Sequence, residues 1–240
     1  MDWAAISHPG SREVNEDSTG IAETQDVRCF VVADGLGGHG MGDTASQTAV
    51  EAFRSVFQGS SAPLTQTMEA AFLHAQDQLL AEQDRLHVPA QMKTTAVALA
   101  VDQTHLIWGH IGDSRLYSFR WGRVRQLTRD HSVPQMLVMT KQIRPQAIRF
   151  HPDRNMLLRV LGLAGEPPRF ELSPPKKRKK KQVFLLCTDG FWEWITEKEM
   201  AHCLRSATSA EDWLTRMEQI ILSRGEGLQM DNLSAIGVWL

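Results

Sequence analysis

The chain has 240 residues, 42% of them hydrophobic, which is enough for one substantial core or two small ones and too apolar for a disordered chain. Lys and Arg total 26 against 28 Asp and Glu, a formal charge of -2, so no overall positive field recruits nucleic acid or anionic lipid. No stretch reaches the about 18 apolar residues of a membrane span, and the start Met1-Asp2-Trp3 has neither the basic stretch nor the apolar run of a signal peptide; a cytoplasmic protein without membrane contact is expected.

The first clear element is residues 27–33, a short β-branched run that ends in Asp34-Gly35 and reads as a buried strand feeding a turn. Residues 43–57 and 63–86 carry apolar residues at helical spacing, with Leu64, Met68, Phe72, Ala75 and Leu79 on one face, and predict two helices covering a sheet. Runs at 94–101 and 105–111, split by Asp102-Gln103-Thr104, then 115–119 and a tight turn at Trp121-Gly122 before another strand, predict an antiparallel meander. Residues 183–188 repeat the pattern of an apolar strand ending in Asp-Gly. The chain then closes with an amphipathic helix (Trp213, Leu214, Met217, Ile220, Ile221) and a strand at 233–239. Strands and helices come in blocks, so the class is α+β with layered sheets rather than alternating βαβ units.

Two segments differ from this pattern. Residues 132–159 are rich in Met, Arg, Gln and Pro without strand alternation and read as a mobile helical excursion beside the core. Residues 174–181, Pro-Pro followed by Lys and Arg only, read as a solvated connection, with a docking patch for an acidic partner or nucleic acid as the alternative. Cys29, Cys187 and Cys203 are widely spaced, which suits reduced core thiols better than bridges or a zinc site.

The acids Glu16, Asp17, Asp34, Asp113, Asp189 and Asp231 fall at strand ends and turns, several beside glycine or asparagine. Carboxylates converging from separate strand ends repel one another and are tolerable if they hold cations. All-oxygen ligands favour Mg²⁺ or Mn²⁺ over zinc. Periodicity does not say whether these residues meet. The strings around them do more: Ser11-Arg12-Glu13-Val14-Asn15-Glu16-Asp17, Ala33-Asp34-Gly35-Leu36-Gly37-Gly38-His39, Thr94-Thr95, Gly112-Asp113-Ser114-Arg115, Leu127-Thr128-Arg129-Asp130-His131-Ser132, Cys187-Thr188-Asp189-Gly190 and Asp231-Asn232-Leu233 resemble, in order and over the whole chain, the motifs of bacterial metal-dependent (PPM, type 2C) serine/threonine protein phosphatases.

The resemblance implies a single catalytic domain over residues 1–240, built as a four-layer α-β-β-α sandwich with two antiparallel sheets. It implies that Asp34 bridges two Mn²⁺ or Mg²⁺ ions, that Asp189 and Asp231 complete one ion, and that Glu16 with the Gly35 carbonyl completes the other. Asp113 with Asp189 would hold a third, weaker ion, and Asp17 would orient a water activated by the metals. Arg12 resembles a phosphate clamp, since a guanidinium fork pairs with two phosphate oxygens, and His39 would protonate the departing alkoxide. Residues 133–155, with Met136, Met139, Lys141, Arg144 and Arg149, would form a flap subdomain that selects protein substrates. The partner implied is a phosphorylated protein, with a forkhead-associated-domain protein or a Ser/Thr kinase as candidates in a type VI secretion setting, and a monomer is expected. Lys93, where a glycine normally precedes the two threonines, and the basic run at 174–181 depart from the family pattern.

Three rival readings are weaker. A catalytically inactive, phosphatase-like binding module would not need every carboxylate that is present. A nucleotide-phosphate loop at 35–42 lacks the Gly-Lys-Ser/Thr that should follow. Nucleic-acid binding through Lys176 to Lys181 lacks interleaved aromatics.

Overall fold

The computed structural model describes residues 1–36 and 41–240. Its strands form two antiparallel sheets. The five-stranded sheet has the order β1 (Asp2–His8), β12 (Leu233–Trp239), β11 (Val183–Cys187), β7 (Arg115–Arg120), β8 (Arg123–Gln126). The seven-stranded sheet runs β10 (Lys176–Lys177), β6 (His105–Ile111), β5 (Ala96–Val101), β3 (Arg28–Leu36), β2 (Asp17–Glu23), with β4 (Lys93–Thr94) on the end of β3 and β9 (Glu171–Leu172) on β6. Helices α1 (Gly42–Gly59) and α2 (Leu64–Leu86) cover the seven-stranded sheet. Helices α4 (Asp189–Trp192), α5 (Glu197–Ser206) and α6 (Ala210–Gly225) cover the other.

The side-chain period of two makes the layers. In β5, Ala96, Ala98 and Ala100 turn toward α1 and α2, whereas Val97, Leu99 and Val101 turn toward the opposing sheet. In β3, Cys29, Val31 and Ala33 take the helix side and Phe30 and Val32 the sheet side. The facing strands reciprocate: Phe184, Leu186, Ile236 and Val238 enter the space between the sheets, while Leu185, Cys187 and Ala235 pack under Trp213, Leu214 and Met217. Strands buried on both faces read as continuous apolar runs, which is why they are conspicuous in the sequence. All three cysteines are free and buried.

Several details depart from the sequence expectations. The predicted meander is divided: β5 and β6 belong to one sheet, β7 and β8 to the other. The crossing is made at Gly112, whose φ of +100° and close approach to Thr95, 2.5 Å from where a Cβ would stand, admit only glycine. The predicted strand at 94–101 breaks at Thr95. Lys176 and Lys177 form a short edge strand on β6 rather than a free connection. The segment after β8 contains helix α3 (Val133–Met139) and a 3-10 turn at Pro145–Phe150. It is anchored by the buried Ile148, by Arg149 bonding the Ile195 carbonyl (3.0 Å) and Glu197 (3.2 Å), and by Arg154 bonding Glu193 (2.6 Å). Among the described residues no helix is long and apolar enough to cross a membrane.

The sheet–sheet contact holds the layers in register, so truncation there should be costly. Leu186→Ala, at a fully buried position, should lower unfolding free energy by about 2–5 kcal/mol in urea titrations; a loss below about 1 kcal/mol would mean that this layer is loosely packed.

Candidate active site

Register brings the first two acids together: Asp17, at the start of β2, lies directly opposite Asp34, near the end of β3, so both side chains leave the same face at neighbouring positions. The Asp34 backbone is clamped. Its N–H donates to Thr95 Oγ1 (3.1 Å), and its carbonyl accepts from Thr95 N (2.9 Å) and Thr94 Oγ1 (2.8 Å). Just beyond, Gly35 meets the start of α1 so closely that a Cβ would stand 1.9 Å from the Gly42 carbonyl oxygen, which makes glycine obligatory there.

The other acids arrive from the opposing sheet and its turns. Asp189 begins α4 at the end of β11, with Oδ1 accepting from Gly190 N (2.6 Å). Thr188, beside it, donates to Asp17 Oδ2 (2.8 Å) and so ties the two sheets at the site. Asp231 precedes β12, and its neighbour Asn232 acts as a staple. Asn232 Oδ1 accepts from Glu16 N (2.8 Å), and Nδ2 donates to the carbonyls of Pro9 (2.9 Å) and Val14 (3.0 Å). That contact fixes the loop carrying Arg12 and Glu16. Asp113 follows the Gly112 turn, with its carbonyl accepting from Trp192 Nε1 (3.1 Å).

Glu16, Asp34, Gly35, Asp113, Asp189 and Asp231 therefore line one cleft of about 760 Å³, walled by Arg12, Lys93, Leu158, Arg159 and Leu163. Asp17 is buried at its base. Arg12 Nη2 is 2.9 Å from Asp231 Oδ2, both side chains open to solvent; such a pair contributes at most about 1 kcal/mol and separates readily. His39, expected as a proton donor, lies outside the described residues.

The electrostatics of the cleft are unfavourable for the bare chain. Burial, reinforced by Asp189, Asp17, Asp113 and Asp231, pushes Asp34 well above the usual carboxylate range. Burial, with Asp189 and Asp130 adding, does the same to Asp113. Asp17 rises to about 7, mainly from burial and against its bond from Thr188, and Asp189 to about 6 from burial and then Asp231. Glu16 is raised by burial as well. Among the described residues, Asp17 Oδ1 is a buried acceptor without a partner. Converging hard oxygen ligands, mutual repulsion and an orphaned acceptor together fit divalent cations.

Beneath the cleft lies a buried support that the sequence reading left without a role. Arg115 makes a bidentate pair with Asp130 (3.0 and 2.6 Å), donates to Tyr117 Oη (3.1 Å), and stacks 3.4 Å over Trp192, the residue that holds the Asp113 carbonyl. His131 fastens the same turn: its Nδ1 accepts from Gly112 N (3.1 Å) and its own N–H donates to the Gly112 carbonyl (2.8 Å). Ser114 bonds Thr95 (2.7 Å) across the two sheets. The signal was present in the Gly112-to-Arg115 and Thr128-to-Ser132 strings, but sequence does not show that one braces the other.

His110, His131 and Glu171 also cluster, yet they make a poor metal centre. The imidazoles are stacked nearly parallel, with centroids 4.6 Å apart at 14°, so their in-plane lone pairs do not converge. Three of the four ring nitrogens are already engaged: His110 Nε2 with the Arg129 carbonyl (2.7 Å), His131 Nδ1 with Gly112, and His131 Nε2 with Glu171 (3.3 Å). Burial lowers the pKa of both, His131 to about 4.

Comparison with known proteins agrees with this geometry. The family model for protein phosphatase 2C matches residues 6–234. The serine/threonine phosphatase stp of Listeria welshimeri is 33% identical over 207 residues, covering 84% of this chain and 81% of that protein. The catalytic domain of the serine/threonine protein phosphatase PstP, solved in complex with 2 manganese ions, superposes with a TM-score of 0.83 at 26% identity, over 99% of this chain and 97% of that one. PppA of Pseudomonas aeruginosa, described as a key regulatory component of its type VI secretion system, gives a TM-score of 0.81 at 27% identity, with 99% and 97% covered. The chain belongs to the protein phosphatase 2C family, and with it to the metal-dependent protein phosphatases.

A pH dependence follows from the raised carboxyl groups. Asp17 and Asp189 titrate at about 7 and about 6 in the folded chain and near 3.9 when unfolded. The metal-free fold therefore binds extra protons between those values, and these groups cost stability as pH rises through that window. Cations must displace the same protons. The rise in melting temperature on adding Mn²⁺ should therefore be larger at pH 8 than at pH 5.5, as followed by scanning fluorimetry. A rise independent of pH would place the bound metal elsewhere.

Proposed function

We propose that the chain hydrolyses phosphoserine and phosphothreonine in a protein substrate with two Mn²⁺ or Mg²⁺ ions bound in this cleft. The observation that carries the proposal is the opposed Asp17–Asp34 pair, with Asp189 and Asp231 facing it from the other sheet and the buried Asp17 Oδ1 left without a partner among the described residues. Asp34 would serve both ions, Asp189 and Asp231 one, Glu16 and the Gly35 carbonyl the other, and Asp113 with Asp189 a third and weaker ion. Bound there, divalent ions supply a water of lowered pKa and positive charge to offset that of the phosphate.

The chain's own groups do the rest. Asp17, held at Oδ2 by Thr188, presents Oδ1 to align the attacking water by accepting its hydrogen. Arg12 leaves its exposed partner Asp231 to grip two phosphate oxygens. His39 donates a proton to the departing serine or threonine oxygen. The substrate is a phosphoprotein made by a Ser/Thr kinase, whose action the chain opposes. The likeness to PppA supports a setting in type VI secretion, and the family resemblance adds a forkhead-associated-domain protein or the kinase itself as candidate substrates.

The deciding experiment is hydrolysis of phosphothreonine peptides with Mn²⁺, before and after chelation. Turnover lost on chelation and restored by metal is the expected result; peptide binding without hydrolysis under any metal would favour an inactive binding module. Asp34→Asn should reduce kcat/KM by about 10³-fold or more, roughly 4 kcal/mol, on phosphopeptide and aryl phosphate alike, with metal affinity lost in calorimetry. Unchanged metal binding would remove Asp34 from the ligand set.

Substrate selection is assigned to the wall that adjoins the flap at 133–155. Leu158 and Leu163 line the cleft yet are 52% and 42% exposed, a suitable rest for apolar residues flanking the phosphorylated one. Replacing both by serine should raise KM for phosphopeptides about thirtyfold, about 1 kcal/mol per side chain, and leave p-nitrophenyl phosphate turnover within about twofold. Equal losses on both substrates would make these residues part of the fold.

A further inference from the structure

The basic run Lys176 to Lys181 takes no part in the cleft, and the fold carries it to the opposite end of the seven-stranded sheet. Lys177 pairs with His105 at the first residue of β6, whereas the carboxylates gather beyond Ile111 at its last. At about 3.3 Å per residue, β6 separates the two ends by about 20 Å. Lys176, Lys177, Lys179, Lys180 and Lys181 are exposed and Arg178 is half-buried. Among the described residues, none of the run joins an ion pair.

The acids close by are held by neutral donors or by another cation and pair with none of the run. Glu23, Asp26 and Asp102 share a surface depression with Arg178, and Glu23 pairs there with Arg28. Asp102 Oδ1, however, accepts from Thr104 N and His105 N (both 2.6 Å), and Asp26 Oδ1 accepts from Gln103 (3.1 Å). A second cleft, of about 680 Å³, lies between the β5–β6 turn and the run, with Thr104, His105, Lys177, Arg178 and Lys180 on its walls. No Asp or Glu side chain lines it. A chain of net charge -2 thus gathers the six consecutive cationic side chains of residues 176–181 on one recessed edge, in excess of the Glu23, Asp26 and Asp102 carboxylates that lie nearest Arg178.

We propose that this edge is a docking site for an acidic segment of the phosphoprotein substrate, separate from the residue being dephosphorylated; the proposal rests on the phosphatase reading above. Charge complementarity identifies the occupant. The run has no aromatic residue to stack a base and no apolar residue to enter a bilayer, which disfavours nucleic acid and membrane. Tethering a substrate here raises the effective concentration of its phosphorylated residue in the distant cleft. The edge therefore lowers KM for substrates carrying an acidic run at the right spacing and leaves the chemical step alone. A linker of about eight residues spans about 26 Å when extended, enough to reach from one end of the sheet to the other.

The test compares the wild type with a variant carrying Lys177→Gln, Arg178→Gln, Lys179→Gln and Lys180→Gln. Two phosphothreonine peptides are used, one with a Glu-rich run about ten residues from the phosphate and one with Gln in its place, the spacing set by the reach above. Aryl phosphate turnover with Mn²⁺ reports the phosphatase reading by itself and should be the same in both proteins. For the wild type at low salt, the Glu-rich peptide should show a KM about tenfold lower than its Gln counterpart, with the advantage gone at 0.5 M NaCl, where the screening length is only a few ångströms. The variant should show no such preference. Fluorescence anisotropy with the unphosphorylated Glu-rich peptide reads docking without catalysis, so an inactive preparation cannot mask the result. The proposal is overturned if wild type and variant bind that peptide alike, or if single-stranded DNA or phosphatidylserine vesicles bind the wild type more tightly than the peptide at the same salt.

Discussion

Mutual repulsion among Asp17, Asp34, Asp113, Asp189 and Asp231 is the constraint around which this molecule is organised. Burial adds to that repulsion and is the larger cause: both raise the Asp17, Asp34, Asp113 and Asp189 carboxyls, so the metal-free chain holds protons there. A better answer is a pair of divalent cations, because each removes more negative charge than a proton and satisfies several oxygens at once. The cost of assembling the acids is met elsewhere, by the apolar layer between the sheets that fixes the strand ends from which they project.

Backbone locks convert that layer into a site. Thr94 and Thr95 hold Asp34, Thr188 joins Asp17 to the opposite sheet, and Asn232 pins the loop bearing Arg12 and Glu16. Under Asp113 the work is done by a buried ion pair rather than by apolar packing. Arg115 is matched by both oxygens of Asp130, by Tyr117 and by the face of Trp192. Removing one member would leave the other charged and unpaired in the interior, a far greater cost than the net value of the pair. The anchored segment after β8 reaches the same region, since Arg149 bonds Ile195 and Glu197 beside Trp192, so that segment and the carboxylate cleft share a foundation.

Much of this could be read in the sequence, for a physical reason that also explains what could not. Strands β3, β5, β6, β11 and β12 are nearly continuous apolar runs because both of their faces are buried, and α1, α2 and α6 carry clear apolar stripes. Strand β1 is a half-exposed edge and β2 is interrupted by Gly20 and Ala22, so neither has a signal of its own. Helix α5 did announce itself: Thr196 and Glu199 form a capping box, a pattern the apolar periodicity passed over. The acids of the cleft were legible as strings, whereas the facts that give them meaning are long-range. The pairing of Asp17 with Asp34, the grip of Asn232 on Glu16 and the brace of Asp130 on Arg115 are set by register and layer packing, which a linear reading does not contain.

The most direct measurement of the role proposed for cations among the carboxylates at Asp34 is anomalous scattering at the manganese edge from crystals grown with Mn²⁺. Two strong peaks should lie in the cleft, both within bonding distance of Asp34, about 2.0–2.6 Å for hard oxygen ligands. Density confined to the His110–His131–Glu171 cluster, or no ordered manganese beside Asp34 at neutral pH, would contradict it.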